Sequence, residues 1–226
     1  MVRGFIITAA VVVGISSVGV RPTHAKLVTI AVTGEVTSVW DDFDRLEGKI
    51  NVGDMITGVY VYDSSTPDSF PEDPVHGRYE YYAPPCGIML TVGGFVFMTD
   101  PDNVRFVVII KDDFPDPRET SYDGYSVASY NNLPLSNGAE VGDISLGAKG
   151  STDIFTTDAL PATAPDLDAG WHEGGMGIRI YGGSRGGSSV GAFSIGGYVT
   201  SATVIPEPGT FILFALGSLA LLKTRS

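Results

Sequence analysis

The chain has one cysteine, Cys86, so an intrachain disulfide framework is excluded whatever compartment it occupies. Histidine is almost as scarce, with three residues, His24, His76 and His172. A zinc site, which draws three or four His, Cys or carboxylate ligands at short spacing, therefore has little to work with. Basic residues are few. Over residues 26–205, 10 Lys and Arg face 25 Asp and Glu, a net charge of about −15. Such a balance opposes binding to nucleic acid or to anionic lipid headgroups and favours solubility outside the cell. Long helical periodicity is lacking as well: no internal segment keeps an apolar 3.6-residue period over three turns. No fixed-period repeat occurs.

What is present in abundance is glycine, 29 residues, distributed among short alternating runs. Val28, Ile30, Val32 and Val36 alternate with Thr29, Thr33, Glu35 and Thr37, the pattern of a strand with one buried and one wet face. Gly34 interrupts this run and marks a bulge or a close backbone approach. Ile56 to Tyr62 is a second strand; Ile88 to Val92 and Phe95 to Met98 flank Gly93-Gly94, a two-residue hairpin signal. Val104 to Ile110 is the most apolar run of the domain and reads as a central strand covered on both faces. Tyr125 to Tyr130, Asp143 to Leu146, Met176 to Tyr181 and Val190 to Thr203 supply further strands. The expectation is an all-β domain, an antiparallel β-sandwich or jelly roll over residues 26–205. Its core is expected from Val28, Ile30, Val32, Leu90, Val92, Phe106, Val108, Ile110, Ile178 and Ile180. Two long loops, Asp63 to Gly77 and Thr156 to Gly175, are rich in Pro and acids, and loops of that length are usually functional or disordered.

The two ends differ from this domain. Arg3 precedes an apolar run from Phe5 to about Val20, and Thr23-His24-Ala25 is a small-residue cleavage site, so residues 1–25 read as a secretory signal peptide. At the other end, Pro206-Glu207-Pro208 leads into the apolar run 209–222, then Lys223 and Arg225. The prolines break the preceding structure and hold the dipeptide extended. The apolar run enters a bilayer as a helix, and the terminal cations favour a cytoplasmic end. At about 14 residues the run is shorter than the roughly 18 that span a membrane comfortably. A C-terminal core helix is the rival reading.

Tripeptide, apolar run and basic stop together resemble the PEP-CTERM sorting signal of exported Gram-negative bacterial proteins. The resemblance covers residues 206–226, about the last tenth of the chain, and Pro206, Glu207 and Pro208 carry it. The basic cluster is sparser than the family's usual arginine-rich close. The resemblance implies recognition by an integral-membrane exosortase, transient anchoring in the inner membrane, delivery to the envelope or beyond it, and association with exopolysaccharide. The stretch from Val32 to Asp63 also resembles the opening of exported domains that often carry such a tail, and no chemistry follows from that likeness.

Catalytic signals are thin. Gly182-Gly183-Ser184-Arg185-Gly186 matches Gly-x-Ser-x-Gly, but a nucleophile elbow needs a helix behind the serine and an acid and histidine later in the chain. Here no histidine follows His172. A carboxylate pair for glycoside hydrolysis cannot be singled out among so many acids. The better candidate is calcium. Asp166-Leu167-Asp168-Ala169-Gly170-Trp171-His172-Glu173 places Asp166, Asp168 and Glu173 around a glycine turn, a set that supplies several of the six to eight oxygens calcium takes. Asp41-Asp42-Phe43-Asp44 and Asp112-Asp113 are further acidic knots, with hydrated acidic turns as the plainer reading of each. Trp40, Trp171 and the many tyrosines suit a sugar-stacking platform or, at alternating spacing such as Tyr60/Tyr62 and Tyr79/Tyr81, ordinary cross-strand packing. The expectation is a non-catalytic exported surface or matrix protein without a required cofactor. A carbohydrate- or calcium-binding module and a secreted hydrolase are the alternatives.

Overall fold

The computed structural model describes residues 26–117, 120–172, 174–183 and 193–206. The expected signal peptide, the expected C-terminal helix, Glu173 and Ser184 lie outside these residues. Among the described residues no helix is long and apolar enough to cross a membrane.

Ten strands form in chain order: β1 Leu27–Trp40, β2 Met55–Asp63, β3 His76–Tyr81, β4 Gly87–Val92, β5 Phe95–Met98, β6 Phe106–Phe114, β7 Tyr122–Ser129, β8 Val141–Gly150, β9 Gly177–Gly182 and β10 Ser194–Ile205. All pair antiparallel in one sheet of order β3-β6-β7-β8-β9-β10-β1-β2-β4-β5. The all-β, antiparallel expectation is met. Strand pairing runs unbroken through the ten strands, and the core is enclosed by curling this sheet on itself. Register shifts at Thr33/Gly34, Val36/Ser38, Lys111/Phe114 and Val141/Asp143 mark where it bends, since a bulge increases local twist and turns the strand.

Gly34 sits at one of these shifts, and a Cβ there would lie 2.5 Å from the Tyr198 carbonyl oxygen. The hairpin between β4 and β5 turns on Gly93 and Gly94, both at positive φ (57° and 80°), the backbone a two-residue turn of this hand requires. The curl is closed by contacts between distant strands. The end of β5 meets the end of β7 where Thr99 bridges Asn132 and its hydroxyl donates to Ser129 Oγ at 2.8 Å. Tyr81 on β3 donates to the carbonyl of Asp63, the last residue of β2, at 3.1 Å.

One hydrophobic cluster fills the curl and contains all ten expected core residues. β6 pairs on both sides, with β3 and β7, and both Val107 and Val108 are buried. One expectation fails at the start of β1. Thr29, assigned to the wet face, is buried opposite its register partner Val61, itself buried, so both faces of the strand are covered there.

Candidate functional site

The segment between β8 and β9 crosses the interior end of the curl, and one carboxylate fixes it. Asp123, second residue of β7, is fully buried. Its Oδ1 accepts the backbone N–H of Asp113 at 2.8 Å, and its Oδ2 accepts those of Ile154 and Phe155 at 2.9 and 2.7 Å. Beyond this anchor the loop lies over a cluster of tyrosines. Tyr79 donates to the Asp158 carbonyl at 3.0 Å, and Tyr62 to the Pro161 carbonyl at 2.7 Å. Further in, the hydroxyls of Tyr60 and Tyr125 pair with each other.

Asp112, Asp113 and Asp123 bring carboxylate oxygens within 4.8 Å of one another, the closest group of acidic ligands among the described residues. Partial burial, then the neighbouring charges of Asp123, Asp113 and Asp158, raise the Asp112 carboxyl above its ordinary range. Both oxygens of Asp123 already accept backbone donors. The third acid therefore acts as a loop anchor, and the exposed Asp113 and half-buried Asp112 supply the group's accessible oxygens.

The sequence-nominated calcium residues lie further along the same loop. Asp166 and Asp168 are exposed, and the Asp168 N–H donates to Asp166 Oδ1 at 3.0 Å, an Asx turn. The indole N–H of Trp171 donates to the Asp166 carbonyl at 2.7 Å, and its ring meets Phe155 edge-on at 6.1 Å. These contacts set Trp171 and Asp166 beside a concavity of about 470 Å³ whose walls include Phe155, Pro161 and Asp153. Asp168 does not line it. The concavity thus combines aromatic surface with two carboxylates, a mixture suited to a polar ring-shaped ligand. Loop packing of this kind left no signal in the sequence, because Asp123 looks like any other acid there.

The remaining candidates resolve into structural roles. Asp41 caps its turn by accepting the N–H groups of Arg45 and Leu46 at 2.8 and 2.6 Å. The His76 ring packs against Phe70 and Phe114, with centroids at 5.5 and 5.6 Å. Cys86 is buried, and burial pushes its thiol up to about 11. Tyr60, Tyr62, Tyr79, Tyr81 and Tyr125 are buried and cannot present a platform to solvent; Trp40, Tyr82, Tyr181 and Tyr198 are exposed.

In the middle of the strand order, between β9 and β1, β10 runs to Ile205, which pairs with Thr29 near the start of β1. Pro206 follows immediately and is exposed. Residues 204–226 match the model of the PEP-CTERM protein-sorting motif, so the motif begins inside the last strand with no linker between it and the sheet. No curated protein and no solved structure matches the chain.

Proposed function

We propose that this is an exported, non-catalytic protein of the cell envelope or extracellular matrix, handed to an exosortase by its C-terminal motif and associated with exopolysaccharide. The observation that carries this reading is the sorting-motif match over residues 204–226. In this account the tail holds the precursor in the inner membrane only until processing. The β domain is then released or displayed, with its acidic surface keeping it soluble. Two features support a non-catalytic domain. Cys86 is buried and stays a thiol at neutral pH, so it is no ready nucleophile. His76 is held between two phenylalanine rings.

A carbohydrate- or calcium-binding role for the same domain is the second reading. The concavity shared by Trp171, Phe155, Asp153 and Asp166 favours it. In that reading Asp166, Asp168 and Glu173 hold calcium, and the ion raises the melting temperature by mass action on the folded state. An Asp166→Ala, Asp168→Ala double variant abolishes that rise.

The primary reading is tested with the full chain in a host with a working exosortase, in the same host lacking it, and as the Glu207→Ala variant. The expected result is processed exported protein in the first case and membrane-retained precursor in the other two. Identical distribution in all three contradicts it. Hydrolysis of glycosidase, esterase or protease substrates that disappears in Ser184→Ala or Asp168→Ala overturns the non-catalytic reading.

A further inference from the structure

On the outer face of the sheet, β6 to β9 enclose a trough of about 670 Å³. Its floor follows from strand register. Ser126 on β7 pairs with Gly147 on β8, and Gly147 with Gly177 on β9, so one row across three strands carries only a hydroxymethyl group and two hydrogens. The walls are cationic. Lys111 and Lys149 stand at one end and Arg179 at the other. These are three of the eight lysines and arginines among the described residues, and no described carboxylate lines the trough. In a domain of about −15, this trough is lined by three cations, one of which, Lys149, pairs with Asp116 beside it.

The lysines are held in place. Lys111 Nζ donates to the Tyr122 hydroxyl at 2.6 Å, and Lys149 Nζ lies 4.1 Å from the Tyr122 ring centroid while meeting Asp116 at the rim at 3.0 Å. Arg179 is exposed. It pairs with Ser145, four residues along β8 from Lys149, so the two cationic ends are separated by roughly 14 Å of sheet. That backbone spacing suits a ligand longer than a single carboxylate or phosphate. The matching ligand is extended and carries its charges at intervals.

The fold does not demand glycine at position 177, although at Gly147 an added Cβ would lie 3.2 Å from both Ser126 Cβ and the Tyr125 carbonyl oxygen. At Gly58 a Cβ would lie 2.1 Å from the Met89 carbonyl oxygen, so glycine there is a packing requirement. At Gly177 the nearest atom to an added Cβ is 3.7 Å away, ordinary contact, and the backbone is not left-handed. Glycine weakens a strand interior and often marks a bulge, a bend or a close approach; the register runs without a shift through Gly177, so no bulge accounts for it.

We propose that this trough binds an extended acidic polysaccharide, a hydroxyl-rich chain with carboxylates at intervals. A peptide strand fits less well: the trough lies on the face of the sheet, where strand N–H and C=O groups already pair, and offers no free edge for strand addition. A polyphosphate or nucleic acid, with dense charge, meets the repulsion of the whole domain around only three cations. Ser126, Ser145 and Tyr122 supply hydroxyls for a sugar chain between the charged ends. The proposal deepens the envelope reading and rests on it for the source of the glycan.

The test measures polygalacturonate binding by the full chain, as processed protein or as detergent-solubilised precursor, so failure of sorting and failure of the trough are read separately. Dextran, polyglutamate and polyphosphate of similar length are the comparisons. Polygalacturonate is expected to bind and to weaken as salt rises, with affinity roughly ten-fold lower in Arg179→Ala. In Gly177→Leu, whose side chain fills the trough, binding is lost while the melting temperature is unchanged or higher. Absence of polygalacturonate binding, equal binding of dextran, preference for polyglutamate or polyphosphate, or full binding in both variants overturns the proposal.

Discussion

The hydroxyls of Tyr60 on β2 and Tyr125 on β7 meet at 2.9 Å with both rings fully buried, joining strands five places apart in the sheet order. The pair lies where the curled sheet faces itself, and each hydroxyl depends on the other to offset its loss of water. Tyr125→Phe leaves the Tyr60 hydroxyl without this partner and should cost about 1–3 kcal/mol. The double Tyr60→Phe, Tyr125→Phe variant removes both polar groups and should recover much of that loss. Denaturant unfolding of the four forms checks this; additive losses would contradict mutual dependence.

The same cluster sets the alkaline limit of the fold. Burial raises the phenols of Tyr60, Tyr62, Tyr81 and Tyr125 well above their ordinary value, and pushes Tyr79 up to about 12. Above pH about 10 the unfolded chain releases these protons while the folded chain keeps them, so stability falls as pH rises. The loss begins near pH 10 and continues past the folded-state value of Tyr79. Each group adds up to about 1.4 kcal/mol per pH unit. Tyrosinate absorbance should therefore rise for these residues together with loss of near-ultraviolet circular dichroism. Smooth titration of all ten tyrosines with the fold intact would contradict the cluster.

Asp123 should be the most sensitive acid of the domain. Asp123→Ala removes the acceptor of three backbone N–H groups and should cost roughly 3 kcal/mol or more. Proteolysis between residues 156 and 172 should accelerate in this variant before the rest of the sheet opens. Asp168→Ala, at an exposed turn, should change stability by less than about 0.5 kcal/mol. Equal effects from the two would remove Asp123 from its anchoring role.

Cys86 should resist thiol reagents at pH 8 in the folded protein and react at once on unfolding, because burial keeps the proton on sulfur. Fast labelling of the native protein would show the site open to solvent.

Strand positions were legible because alternation is local: the Val/Thr run of β1, the Gly93-Gly94 hairpin and the apolar centre of β6 each announce themselves within a few residues. Strand β3 is not among the expected strands: Pro, Asp and Glu residues run almost up to His76, the loop reading takes in His76 and Gly77, and only the Tyr79/Tyr81 alternation marks the rest. Sheet order and curl were not legible, because they depend on pairings such as β1 with β10, more than 160 residues apart for Glu35 and Tyr198. The site was harder still. Trp171 and Asp166 were nominated and do share a concavity, whereas Asp123 and the Ser126–Gly147–Gly177 row acquire their roles only when strands are set side by side.

Sorting depends on the tail, and the mass of the mature protein tests it most directly. Intact-mass spectrometry of the exported protein, from a host with a working exosortase, should show that the apolar run 211–222 has been removed while the chain through β10 to Ile205 is kept. Exported protein that still carries that run in such a host would contradict sorting by this motif.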